Sequence, residues 1–244
     1  MEPKSNPRPI KEIVPEALSQ ITQKGSEAEG ICCLCGKTCR VNKLVSSASW
    51  KCAECAEAER KEVQESDREA QEEDTLKRLE DVPTLFRGTD QRKLPFPEKL
   101  DAAFRWKFGP KGLLLHGRTG SGKSRIIWEV AKREIHNGRK LRSVAVHELF
   151  SYPALLMNDA KGAERFATEL IRAPLLLLDD PFKTKPTERV EELLFCVIDE
   201  RGQWERPCLV TMNDTGETLE VRLSIDRGPA LIRRLREYCM AIQF

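Results

Sequence analysis

The sequence carries almost no surplus charge of either sign: 41 lysines and arginines stand against 39 aspartates and glutamates, a formal net charge of +2. No global basic field marks it for nucleic acid, so any such partner must be read by local clusters. Long apolar runs are missing too. The longest unbroken aliphatic stretch, Leu175-Leu176-Leu177-Leu178, falls far short of the roughly 20 apolar residues a transmembrane helix needs. The N-terminus holds proline, lysine and glutamate and lacks an apolar signal core. Together these absences read as a soluble, cytoplasmic chain with no membrane partner. A disulfide framework is also missing, although there are nine cysteines. Six fall between Cys32 and Cys55, while Cys196, Cys208 and Cys239 sit singly in apolar segments. Metal ligation and buried thiols account for that distribution better than paired bridges do.

What is present divides the chain into four stretches. Residues 1–30 are rich in proline and charge. They show little periodicity beyond a short helical pattern over 16–23, and read as a disordered or loosely docked arm. Residues 31–56 hold two C-x-x-C pairs, Cys32/Cys35 and Cys52/Cys55, separated by sixteen residues. Two such knuckles close a tetrahedron of thiolates, which is the spacing of a structural zinc site. A redox-active pair is the competing reading, and Cys33 and Cys39 are spare thiols able to replace Cys32 or Cys35. A segment this short builds no core of its own, so the metal would supply its folding free energy. Residues 57–82 continue a densely charged run without glycine or proline and read as a solvated helical linker, with an acidic binding surface as the lesser alternative. Pro83 and Pro95-Phe96-Pro97 break it, leaving 83–244 as the main domain.

The main domain is α/β. Expected strands cover 112–116, 143–146, 175–178, 208–212 and 239–242. Expected helices cover 98–107, the stretch from the end of the glycine-rich turn to 136, 147–156, 161–171, 187–203 and 229–237. Strands alternating with helices predict a parallel sheet covered on both faces, with ligands beyond the strands' carboxyl ends. Three signals fall there. Gly117-Arg118-Thr119-Gly120-Ser121-Gly122-Lys123-Ser124 fits G-x-x-x-x-G-K-[ST] between a strand and a helix. Its backbone amides would curl around phosphates, Lys123 would reach the outer ones, and Ser124 would hold a magnesium ion. Asp179-Asp180 ends the four-leucine strand, placing Asp179 opposite Ser124 for magnesium and Asp180 to orient the attacking water. Asn213 closes the next strand and is able to bond a γ-phosphate or the water, or to serve only as a turn residue. The run Arg233-Arg234-Leu235-Arg236 offers either an arginine finger in trans or a solvated basic face.

In that order, 112–124, 175–180, Leu-Val-Thr-Met-Asn at 209–213 and Ala-Leu-Ile-Arg-Arg-Leu at 230–235 resemble the AAA+ ATPases of the DnaC/IstB type. These are bacterial and phage helicase loaders and transposition helper ATPases. The resemblance implies that Lys123 and Ser124 match Walker A, Asp179-Asp180 Walker B, Asn213 sensor 1, and Arg234 the arginine finger, with Arg233 its close competitor. It also implies ATP as cofactor, slow hydrolysis, and an ATP-dependent homo-oligomer. Its implied partners are a replicative helicase or transposase, and single-stranded DNA. Two departures stand out: Asp180 replaces the more usual Glu, and no helical lid with a sensor 2 arginine is expected after the last strand. For the DNA, Lys132, Arg133, Arg139, Lys140 and Arg142 supply charge with few aromatics among them.

Overall fold

The computed structural model describes residues 27–42 and 50–244. The helical pattern at 16–23 and most of the expected N-terminal arm lie outside the described residues. The chain forms two compact units, divided between Ala70 and Gln71.

In the first unit, β1 (Glu27–Ile31) pairs antiparallel with β2 (Thr38–Asn42), with Ile31 opposite Thr38. Ordered strand therefore begins inside the stretch read from sequence as a loose arm. The connecting turn closes through Cys32 N–H to the Lys37 carbonyl at 2.9 Å and Gly36 N–H to the Cys32 carbonyl at 2.9 Å. Helix α1 (Ala53–Glu80) buries none of its 28 residues. Ion pairs one turn apart, such as Lys61–Glu57 and Lys77–Glu73, support it, and its last turns, which belong to the second unit, pack a half-buried Leu79 against that unit's core and hold Arg78 on the Gly138 carbonyl.

The second unit is built on a five-stranded parallel sheet in the order β4-β5-β6-β3-β7. The strands are β3 (Gly112–His116), β4 (Leu141–Val144), β5 (Leu175–Asp179), β6 (Cys208–Met212) and β7 (Cys239–Gln243). Successive side chains in a strand face opposite sides, and the core divides accordingly. Leu114, Leu176 and Leu178 point into one apolar layer. That layer is supplied by α5 (Val146–Asn158), α6 (Ala160–Arg172), α7 (Glu188–Gln203), α8 (Gly216–Arg222) and α9 (Gly228–Tyr238). Leu113, Leu115, Leu175, Leu177 and Leu209 point into the other layer, under α3 (Pro97–Arg105) and α4 (Lys123–His136). A short helix α2 (Thr84–Arg87) precedes α3.

Most expected elements are present within a residue or two. Strand β4 differs: it spans 141–144 instead of 143–146, and Val146 already opens α5. The Glu148 carboxylate accepts the Ala145 N–H at 2.9 Å, capping the helix one residue earlier than the apolar pattern suggests. Among the described residues, no helix is long and apolar enough to cross a membrane.

Candidate functional site

The strand order decides what can meet. Because β6 lies between β3 and β5, its carboxyl end projects Asn213 between the glycine-rich turn and the two aspartates. The turn itself curls because Gly117, Gly120 and Gly122 take φ of 132°, 80° and 85°. A Cβ on Gly117 would sit 2.2 Å from the Phe244 carbonyl oxygen, so both φ and space exclude a side chain there. The base of the turn is pinned by Gly117 N–H to the Met212 carbonyl at 3.2 Å and Phe244 N–H to the His116 carbonyl at 2.8 Å.

Lys123, the first residue of α4, is buried. Its ammonium donates to the carbonyls of Gly117 and Arg118 at 2.9 and 2.8 Å and to Asn213 Oδ1 at 3.0 Å. The Asn213 amide nitrogen donates in turn to Asp180 Oδ2. One side chain thus links the lysine to the second aspartate. Ser124 Oγ donates to Asp179 Oδ1 at 2.7 Å. Burial pushes the Lys123 ammonium below its ordinary pKa, against the opposing pull of Asp180 and Asp179. Burial, helped by the neighbouring Asp179, pushes the Asp180 carboxyl up. Asp180 adopts the left-handed backbone region at φ 54°, and its Oδ1 is buried without a hydrogen-bond partner.

Thr211 is the member that sequence reasoning missed. Its hydroxyl donates to Asp179 Oδ1 at 2.6 Å and accepts the Asp180 N–H at 2.9 Å, so it orients both carboxylates. The available signal was a lone hydroxyl within the otherwise apolar, fully buried strand β6. The donor set suits a nucleotide with magnesium. Ser124 Oγ and Asp179 Oδ1 lie 2.7 Å apart, close to the roughly 2.9 Å between adjacent ligands of an octahedral magnesium. The partnerless Asp180 oxygen leaves an acceptor free for a water.

The arginines stand apart from this cluster. The partners of Arg234 are on α7 and α9. Its Nε lies 2.6 Å from Asp199 Oδ1, in contact but out of line for a hydrogen bond, and its Nη1 reaches Glu237 at 3.2 Å and Tyr238 at 3.3 Å. Arg233 is the freer of the two, its side chain 63% exposed and its nearest acid, Glu237, 3.9 Å away.

In the first unit the sulfurs of Cys32, Cys35, Cys52 and Cys55 all lie within 4.8 Å of one another. The Cys35 and Cys52 sulfurs are 3.7 Å apart, against about 3.8 Å between thiolates on a tetrahedral zinc with 2.3 Å bonds. The Cys52 N–H donates to the Cys32 sulfur at 3.2 Å. That bond, with the backbone of Cys35, lowers the Cys32 thiol to about 6, whereas contacts with the Cys52 and Cys35 sulfurs push the Cys55 thiol up and the Cys35 thiol is raised as well. Thiolate character is what a zinc ligand requires. Cys33 is exposed and outside the group, and the Cys39 side chain lies outside the described residues.

A parallel sheet with a glycine-rich turn and lysine after one strand, and paired carboxylates on a strand two places away, is the P-loop nucleoside-triphosphatase fold. Comparison with solved structures finds the same fold elsewhere. DnaI matches with a TM-score of 0.51 at 21% identity, over 68% of this chain and 89% of that one. Domain III of the Thermotoga maritima replication initiation protein DnaA matches with a TM-score of 0.52 at 16% identity, over 61% of each chain. The AMPPCP-bound DnaA from Aquifex aeolicus is similar at a TM-score of 0.48 and 17% identity, and this chain spans only 44% of its length. No protein-family model matches the chain, and no curated protein is similar to it in sequence.

Proposed function

We propose that this chain is an ATP-binding and ATP-hydrolysing AAA+ protein of the DnaC/IstB type that acts in DNA replication by loading a helicase. A transposase in place of the helicase is the same reading with another client. The observation that carries it is the convergence of Lys123, Ser124, Asp179, Asp180 and Asn213 at the carboxyl ends of β3, β5 and β6.

The chemistry follows from those contacts. Backbone amides of the turn bind the phosphates of ATP, and Lys123 exchanges the Gly117 and Arg118 carbonyls for outer phosphate oxygens. Ser124 and Asp179 hold magnesium, which supplies neutralisation of the phosphate charge. Asp180 orients the attacking water and takes up its proton, a task helped by the raised pKa that burial gives it. Asn213 keeps Asp180 and Lys123 in register. Arg234 of a neighbouring copy, or Arg233, completes the site in an ATP-dependent homo-oligomer that engages single-stranded DNA. An arginine supplied in trans is worth about 10³–10⁵ in rate, so turnover by isolated chains is slow. The four cysteines bind zinc, and their module contacts the client protein.

A second reading is favoured by the short Asp180 arm, tethered to Asn213 in the left-handed region. There ATP binding is a switch, hydrolysis is negligible, and the zinc module does the recognising. Turnover of the wild type and of Lys123→Ala, each with and without single-stranded DNA, separates the two. Equal rates under both conditions would sink the hydrolysing form.

A further inference from the structure

Three of the five basic residues named from sequence for nucleic acid are already occupied. Lys132 is held by Glu129 and by the carbonyls of Phe86 and Arg87. Arg133 donates to the carbonyls of Phe104 and Trp106 and pairs with Glu134, and Arg142 pairs with Glu148. Arg139 and Lys140 are different. Both are exposed, and neither has an ion pair or a side-chain hydrogen bond among the described residues. They are joined by a second loop that sequence reasoning did not connect with them.

That loop starts from Arg105, the last residue of α3, and reads Trp106-Lys107-Phe108-Gly109-Pro110-Lys111. Trp106 folds under it and donates from Nε1 to the Lys111 carbonyl at 2.8 Å, closing it into a compact turn. The two Arg133 bonds fasten the turn to α4. The Arg139 guanidinium then lies 4.4 Å from the centroid of the Phe108 ring. Arg105, Lys107 and Lys111 are exposed and, like Arg139 and Lys140, have no ion pair among the described residues. Five such cations therefore lie within three residues of the half-exposed Phe108 in the chain or, in Arg139 and its neighbour Lys140, at the residue stacked on its ring. Among the acids of neighbouring elements, Glu134 is buried against Arg133 and Asp74 is paired with Arg78, which itself donates to the Gly138 carbonyl, while Asp101 is exposed one turn before Arg105. All these residues flank the amino ends of β3 and β4, the edge of the sheet away from Lys123 and Asp180.

Unpaired cations around a stacked aromatic match a chain of phosphates carrying planar bases. A peptide with acidic side chains would use the charge and leave the ring without a purpose. We infer that this face binds the backbone of single-stranded nucleic acid, with a base stacking on the Phe108–Arg139 pair. The inference rests on the proposed role in DNA replication and locates its DNA contact on a face remote from the phosphate loop.

The test is fluorescence anisotropy of a labelled oligothymidylate with the full chain, magnesium and a non-hydrolysable ATP analogue, titrated at several salt concentrations. The triple variant Lys107→Glu/Lys111→Glu/Lys140→Glu should bind at least about tenfold more weakly. It should also flatten the salt slope by about 2, at roughly 0.7 for each phosphate that is no longer neutralised. Arg139→Ala, a single exposed change that leaves the turn closed, should lower affinity roughly tenfold by removing both stacking and charge. A control of equal charge change at exposed cations without ion pairs among the described residues, Arg60→Glu/Lys161→Glu/Lys185→Glu, should bind as the wild type. Circular dichroism melts establish that each variant folds. Equal weakening in the face and control triples would overturn this assignment and leave DNA binding by the protein intact. A wild type that binds no oligonucleotide would overturn the assignment together with the DNA part of the reading beneath it. A face triple that keeps its oligonucleotide affinity but fails to capture an acidic client protein would give the face to that protein instead, and the proposal would fail.

Discussion

The cysteine cluster and the phosphate-loop cluster differ in what lies beneath them. Among the described residues of the first unit, Cys32 and Cys52 are the only buried apolar side chains, and α1 buries nothing. Under the phosphate loop, two apolar layers sandwich a sheet whose leucines are almost completely inaccessible. In the second unit the site is carried by a core that would exist without it. In the first, the four sulfurs are the only feature among the described residues able to serve as a core. The two clusters should therefore respond oppositely to the same insult: loss of ligand unfolds one and merely silences the other.

Metal removal gives the largest effect and the sharpest form of that contrast. Structural zinc contributes on the order of 10 kcal/mol to small modules that fold around it. Chelation, or Cys52→Ser, should abolish the amide dispersion of residues 27–42 and 50–55 in a two-dimensional NMR spectrum while leaving the signals of 71–244 in place. Metal analysis of the purified chain should return about one zinc per chain. Metal-free protein with intact signals for 27–42 and 50–55 would erase the distinction between the two regions.

Lys123→Ala makes the converse test. It removes the ammonium that spans the turn and Asn213, and should cut ATP turnover by about 10³-fold, in keeping with the weight of preorganised charge in such sites. The thermal midpoint of the second unit should move by no more than a few degrees, because the apolar layers are untouched. A collapse of that unit on mutation would mean that the site, like the cysteines, is part of what holds its surroundings together.

How much of this was legible in the sequence follows the same division. Strands β5 and β6 could be read almost to the residue because, Thr211 apart, both are apolar and are closed by Asp or Asn. The hairpin β1–β2 could not. Glu27-Ala28-Glu29-Gly30-Ile31 has no apolar face, and its pairing is set by the closed turn through Gly36. Helix α8 was also missed, since it buries only Leu219 and starts on the Thr215 cap. The site's main members were legible because phosphate chemistry demands fixed types at fixed spacing. Thr211 was not, because its role depends on β6 lying beside β5, which no spacing encodes. The basic loop after α3 escaped for a related reason: only the fold brings Phe108 to Arg139.

Gly117→Ala tests whether the core dictates the turn as well as supporting it. The added methyl meets the Phe244 carbonyl at 2.2 Å, and alanine disfavours a φ of 132°. Strain of this kind costs about 1–3 kcal/mol, so denaturant melts should register a loss near the upper end. Part of it would be relieved by displacing the last residues of β7. Nucleotide affinity should fall with it, because the amides of the turn lose their common direction. An alanine variant as stable as the wild type would indicate that the turn is soft and shaped by its ligand, which would bring it closer to the cysteine module than the comparison allows.

The smallest effect expected comes from a polar contact that the second unit's core makes nearly dispensable. The Glu148 carboxylate accepts from Arg142 at 2.6 Å and from the Ala145 N–H at 2.9 Å, with both side chains about a third exposed. Partial burial raises its pKa, but Arg142 and the Ala145 N–H outweigh that and hold the carboxyl below its ordinary value. A depressed carboxyl pKa contributes stability that is present above the unfolded value, about 4.3, and is lost as pH falls through the folded one. Glu148→Gln should cost about 0.5–1 kcal/mol at neutral pH, the scale of a helix cap and a screened ion pair. The gap between variant and wild type should narrow as pH drops below about 4. A loss of several kcal/mol at neutral pH would show that charge, and not only apolar burial, sustains the second unit. The two regions would then differ in degree instead of in kind.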